Sequence, residues 1–272
     1  MTEEPEIALP GGDVTEGVVR VGDTVRRPIG DHSVLVHTVL DHLHSVGFEG
    51  APRFLGLDAK GREILTFVEG EVAGRPWPDW VADEDRIVSV ARLVRRYDDA
   101  VASLGLPDTL VGAPSAADPD GCPPGLQQPR ELLGHRDITP ENVVFRDGVA
   151  HALIDFDLVR PSSRLDEVLS MLLWWAPLMP VADREPVLSD VDPFRRAGLL
   201  VDAYGLVDRS RLVEIMIRQG ERTWYLMRRR SDELGGGWRR MWVGGVGDRI
   251  LRRTDWMREH AAELDAAVGN RP

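Results

Sequence analysis

Two short stretches carry the residues best suited to chemistry. His135-Arg136-Asp137 is followed five positions after the aspartate by Asn142, and Leu153-Ile154-Asp155-Phe156-Asp157 comes soon after. A carboxylate beside a hydroxyl can orient it and take its proton. An amide oxygen and a second carboxylate are hard ligands of the kind Mg²⁺ prefers, and two or three such side chains suffice because the ion keeps waters. Phosphoryl transfer needs this set: one base for the attacking hydroxyl, and ligands that hold a metal against the phosphate oxygens. Between the stretches, Val143-Val144-Phe145 and His151-Ala152-Leu153-Ile154 flank Arg146-Asp147-Gly148. That pattern predicts a short hairpin that holds both polar pieces at one end. A lone His-x-Asp would mean little, but the whole combination is hard to reach by chance.

These residues resemble the catalytic loop and metal-binding segment of protein kinases. They are still more similar to the aminoglycoside phosphotransferase and choline-kinase-like family, which writes its second element as Ile-Asp-Phe/Trp-x, as in Ile154-Asp155-Phe156-Asp157. The likeness touches Val18 to Pro28, Phe54-Leu55-Gly56, Val68 to Val72 and Leu165 to Pro177, and so runs through most of the chain. It implies an α+β, two-lobed protein-kinase-like fold, with a small strand-rich N-lobe and a larger, mainly helical C-lobe. It implies roles as well. Asp137 would be the base, Asn142 and Asp155 would bind Mg²⁺ with Asp157 beside them, and His135 would support the loop. The backbone around Thr66 and Val68 would meet the purine of ATP or GTP. Gly11 and Gly12 would let backbone amides approach its phosphates.

The pattern departs from the family on the phosphate side. The family's third-strand lysine contacts the phosphates and pairs with a helix glutamate. Here the only lysine, Lys60, falls in a turn between two later strands. Arg26 is the best positional match and Arg27 the second; an arginine keeps the charge, but its planar fork has a different reach. The helix expected at 33–46 holds no glutamate, and His37 stands where the partner would be. A neutral histidine there could accept a bond from Arg26. Gly11, Gly12 and Gly17 do not form a Gly-x-Gly-x-x-Gly loop. His32, His37, His42 and His44 are not spaced to put three on one helix face, so they make no metal site.

The acceptor side is less legible. Asp166 and Glu167 open an apolar helix, where acids also suit the helix dipole, and Trp174 offers a ring to stack on; all three are candidate substrate contacts.

The elements that would position these residues follow from the pattern. Val18–Val21 and Thr24–Arg27 around Gly22-Asp23 predict a hairpin. An apolar stripe of Val36, Val39, Leu40, Leu43 and Val46 predicts a helix ended by Gly47. Strands at 53–57 and 63–68 follow. Asp83 caps a predicted helix from Glu84 to about Leu104, with Ile87, Val90, Ala91, Val94 and Val101 inward. The division expected is an N-lobe over 1–68 that binds nucleotide, a hinge over 69–78 and a C-lobe over 79–272 with the catalytic loop and substrate site.

Composition narrows the partners. A net charge of −12 repels nucleic-acid phosphates. It suits a cationic small molecule, although surface acid also serves solubility. One cysteine, Cys122, excludes an intrachain disulfide. The acidic N-terminus is no signal peptide, and the apolar stretch from Val168 to Val181 is too short to span a bilayer and is broken by Pro177. A cytoplasmic protein without nucleic-acid or membrane partners is expected. The activity expected is transfer of the γ-phosphate of ATP or GTP to a hydroxyl of a small molecule, with a cationic antibiotic or related secondary metabolite as acceptor. A metabolic kinase of an amino alcohol or sugar, and a nucleotide-binding pseudokinase, are the alternatives.

Overall fold

Gly22 and Asp23 turn the chain back so that β2 (Val19–Val21) pairs antiparallel with β3 (Thr24–Arg27), as the sequence predicts. The computed structural model that shows this describes residues 5–9, 17–107, 117–126 and 128–269. A short β1 (Ile7–Ala8) extends one edge. On the other side of β3 come β5 (Glu63–Thr66) and then β4 (Phe54–Leu57), which completes a five-stranded sheet in the order β1-β2-β3-β5-β4. Helix α1 (Ser33–Ser45) buries Val36, Val39, Leu40 and Leu43, the stripe its periodicity predicts. In β5 only Glu63 and Leu65 are buried, so one face of that strand looks inward.

The linker is stitched to the second half of the molecule. Glu71 exchanges backbone hydrogen bonds of 2.8 and 2.7 Å with Phe145. Gly70, at φ +149°, permits this approach, since a side chain there would collide with Val144 and the Phe145 carbonyl.

Beyond the linker the chain is mainly helical. Asp83 accepts a hydrogen bond from the Asp85 amide and starts α2 (Glu84–Ala102). All five residues expected to face inward are fully buried. Helices α3 (Arg164–Trp175), α4 (Pro193–Tyr204), α5 (Leu212–Leu234), α6 (Gly236–Val243), α7 (Val246–Glu259) and α8 (Ala261–Val268) complete this part. Arg196 of α4 is 1% exposed and donates to the carbonyls of Trp175, Ala82 and Val81, which joins three segments without a carboxylate.

Two small sheets lie between the helices and the large sheet. Strand β6 (Leu132–Gly134) pairs with β9 (Arg160–Ser162), and β7 (Val143–Arg146) pairs with β8 (Val149–Leu153). The second is the hairpin the motif spacing predicts. The first has no clear pattern in the sequence, because both strands are three residues long. Among the described residues no helix is long and apolar enough to cross a membrane.

Candidate active site

The catalytic-type loop leaves β6 at Gly134 and returns at β7. Gly134 has no side chain because Glu167 and Ser162 fill the space where a Cβ would stand. Glu167 is 0% exposed and accepts hydrogen bonds from the amides of His135 (2.9 Å) and Arg136 (3.4 Å). Burial raises its pKa above the ordinary range, against the pull of Arg136 and those two amides. From α3 come two more ties: Ser170 accepts from the Ile138 amide at 3.2 Å, and Trp175 donates to the Ile138 carbonyl at 2.9 Å.

His135 is fully buried. Its Nε2 donates to the Ile154 carbonyl at 3.0 Å, and its Nδ1 accepts from the Asp137 amide at 3.3 Å. One ring nitrogen donates and the other accepts, which requires a neutral ring. Burial pushes its pKa down to about 4, in agreement. His135 thus joins the Asp137 loop to the segment that carries Asp155.

Asn142 completes that joint. Its Nδ2 donates to both the carbonyl and the Oδ2 of Asp137, each at 2.9 Å, and its own carbonyl accepts from the Ile154 amide at 2.9 Å. The amide nitrogen is committed, so the side-chain oxygen is the atom left to meet a metal. Asp137 has its pKa raised from 3.8 to about 7, chiefly by burial and then by the charge of Asp155. Asp155 takes a left-handed backbone conformation, φ +63°, and its pKa is raised by burial and by Asp157, with Arg27 opposing. These two oxygen ligands side by side fit the Mg²⁺ that the fold implies. No group of three or more acids, histidines or cysteines among the described residues could hold a metal by itself.

The cation facing these carboxylates is Arg27. It makes a 3.2 Å contact with Asp155, a short hydrogen bond to Asp157, and a 2.9 Å ion pair with Glu63, the neighbour opposite it across β3 and β5. His37 of α1 reaches the other oxygen of Glu63 at 2.5 Å. Burial works against the charge of Arg27, but Asp157, Asp155 and Glu63 outweigh it and hold its pKa above the ordinary arginine value. The charge relay therefore runs His37–Glu63–Arg27–Asp155/Asp157, with its glutamate on a strand rather than on the helix.

Arg26, the better sequence match, is elsewhere. It donates to Thr24 Oγ1 at 2.5 Å and lies 3.9 Å from Asp58. Successive strand residues point to opposite faces, so only one of the two arginines can enter the cleft. Val25 and Arg27 share the face of Leu65, and that parity was readable from the sequence. His37 meets Glu63, not Arg26. Lys60 pairs with Glu6 in the turn between β4 and β5.

The remaining candidates divide. The Thr66 amide is spent on the Arg53 carbonyl at 3.0 Å, and the Phe67 amide on the Asp23 carbonyl at 2.8 Å, while Val68 lies half-buried just after them. Gly11 and Gly12 lie outside the described residues. Glu167 is sealed beneath the loop and open to no acceptor. Asp166 forms a capping box with Ser163, accepts from Gln219 at 2.8 Å and lies 3.3 Å from Arg136. Trp174 packs half-buried against the core. Glu63 and Gln219 had no motif to reveal them.

The fold and this arrangement define a protein-kinase-like phosphotransferase fold. The chain belongs to one family with a trifolitoxin immunity protein from Rhizobium leguminosarum bv. trifolii, to which it is 33% identical over 212 residues, 76% of each chain. A choline/ethanolamine kinase family protein from Mesorhizobium loti superposes with a TM-score of 0.57 at 15% identity, over 97% of this chain and 92% of that one. The GDP and kanamycin complex of APH(2")-IIia also gives 0.57, at 13% identity over 98% and 94%. No family model matches the sequence.

Proposed function

We propose that this protein transfers the γ-phosphate of ATP or GTP to a hydroxyl of a small molecule, as a resistance-type kinase. The observation that carries the reading is the single cluster of Asp137, Asn142, Asp155 and Arg27. A carboxyl with its pKa near 7 stands beside two hard oxygen ligands, one of which meets a half-buried cation, Arg27. The immunity protein related to it supports a resistance role.

In the proposed reaction the acceptor hydroxyl donates a hydrogen bond to Asp137. Its oxygen attacks the γ-phosphorus as the bond from that phosphorus to the bridging oxygen breaks, the proton passes to Asp137, and the nucleoside diphosphate leaves with the bond electrons. Mg²⁺ held by Asn142 and Asp155, with Asp157 beside them, would neutralise charge on the phosphate oxygens. Arg27 turns from the two aspartates towards the phosphates when nucleotide enters, and Glu63 keeps it in reach. Asn142 holds Asp137 in place, and His135 and Glu167 hold the loop. Val68 and the residues after it offer the backbone groups nearest to a purine at the linker, since the amides of Thr66 and Phe67 are already bonded.

The test follows consumption of Mg-ATP and Mg-GTP, with water or an added alcohol as acceptor. Asp137→Asn keeps the hydrogen bond from Asn142 and is expected to lower turnover about 100-fold or more, the usual contribution of a general base. It should still bind nucleotide in calorimetry. Binding of nucleotide by the wild type with no turnover on any acceptor would favour the pseudokinase reading instead.

A further inference from the structure

The glutamate that steadies Arg27 has two oxygens, and each has its own partner. Glu63 is 2% exposed, so an oxygen of it left without a partner would be costly. Its Oε1 lies 2.9 Å from Arg27 Nε as an ion pair, with the N–H not aligned on the oxygen. Its Oε2 accepts from His37 Nε2 at 2.5 Å. No other described side chain reaches Oε2. His37 is itself held in place. Its ring lies parallel to that of Phe54 on β4, with 3.6 Å between centroids and 11° between planes. Its helix, α1, is anchored by the buried Val36, Val39 and Leu40 and packs beside Phe156–Leu158, the turn that follows Asp155. One ring thus joins α1, β4 and β5 at the anchor of Arg27.

The hold on Glu63 matters because of how a guanidinium meets a carboxylate. A carboxylate with both oxygens free takes two guanidinium N–H groups at once, as a fork. Arg27 does not bind Glu63 in that way. Its Nη1 lies 3.2 Å from Asp155 Oδ1, and its Nη2 donates to Asp157. Only Nε faces Glu63, whose second oxygen is taken by His37.

Resting on the phosphotransferase reading above, we infer that His37 is a positioning residue for nucleotide binding. By holding Glu63 Oε2 it confines Glu63 to the Nε edge of Arg27. Both Nη groups then stay in the cleft, where nucleotide phosphates take the place of Asp155 and Asp157. Without His37, Oε2 is buried and unsatisfied, and the carboxylate turns to take Nε and Nη2 together. Arg27 is then drawn away from the phosphates. His37 touches no substrate atom; it acts through Glu63 and Arg27.

Calorimetry on the full chain tests this, with Mg²⁺ and non-hydrolysable analogues of ATP and GTP as the probes. His37→Leu removes the donor and should weaken the better-bound analogue about tenfold, the worth of one charged hydrogen bond. His37→Gln, whose amide can donate to Glu63, should bind within about threefold of the wild type. In an Arg27→Gln background, His37→Leu should change binding less than about twofold, because the residue it positions is gone. A histidine that only stabilised the fold would cost the same with or without Arg27. His37→Asn, polar but too short to reach Glu63, takes the place of the leucine variant if that one does not fold, with the same expected loss. The inference is overturned if His37→Leu, or His37→Asn in its place, binds the analogue as the wild type does. It is overturned as well if His37→Gln loses as much as the leucine variant, or if the full loss persists in the Arg27→Gln background. A wild type that binds neither analogue overturns the kinase reading and this inference together. A wild type that binds, beside His37 variants that bind equally well, overturns this inference alone.

Discussion

On the sheet side of Asp137 the cleft's cation is matched by three acids, whereas on the helical side one buried acid, Glu167, holds the loop through its amides. Arg27 is held by Glu63, Asp155 and Asp157 together. Glu167 is 0% exposed and accepts hydrogen bonds from the amides of His135 and Arg136. The difference teaches what each side does. A neutralised cation must exchange partners when a nucleotide and its metal arrive, so the sheet side is a device for swapping anions. A buried acid bonded to backbone amides has no partner to exchange, so the helical side is a fixed frame.

Removing Arg27 breaks the first half of this comparison most severely. Arg27→Gln should weaken Mg-nucleotide binding by about 10- to 100-fold, as expected for losing charged hydrogen bonds to phosphate. Arg26→Gln serves as the control and should change binding less than about twofold, because Arg26 faces Thr24 and Asp58 and makes no contact with the two aspartates of the cleft. Equal losses in the two variants, measured by calorimetry, would mean that strand parity does not decide which arginine serves the cleft.

A smaller effect tests the frame that both sides share. Glu167→Ala orphans the amides of His135 and Arg136 and leaves a hole beneath Gly134, so it should cost about 2–4 kcal/mol of stability. Turnover should fall while nucleotide affinity holds. Glu167→Gln, which keeps an acceptor for both amides, should restore most of the loss in thermal unfolding. A Glu167→Ala chain as stable as the wild type would remove Glu167 from the account.

What the sequence made legible follows the range of each signal. The β7–β8 hairpin, α1 and the inward face of α2 were readable because turn residues and apolar periodicity are local. Asp137, Asn142 and Asp155 come together because that hairpin joins them. The β6–β9 pair is not local: three-residue strands separated by the 25 residues between Gly134 and Arg160 carry no pattern of their own. Glu63 was hidden for a related reason. The expected partner was a helix residue, and a strand residue took the role because β5 lies directly beside β3. The choice between Arg26 and Arg27 was available, in the apolar Val25 two positions before Arg27, but family position pointed the other way.

The pH dependence of nucleotide turnover tests the central claim most directly. With its pKa raised to about 7, Asp137 is mostly protonated below that pH and cannot take a proton from the acceptor. The buried neutral His135, with its pKa near 4, does not titrate in the same window. Turnover at saturating Mg-nucleotide should therefore rise about tenfold per pH unit below 7 and level off above it, as for a single essential base. The residual turnover of Asp137→Asn should lack this rise. A wild-type rate that is flat between about pH 5 and 8, or an Asp137→Asn variant that keeps the same rise, would contradict Asp137 as the base.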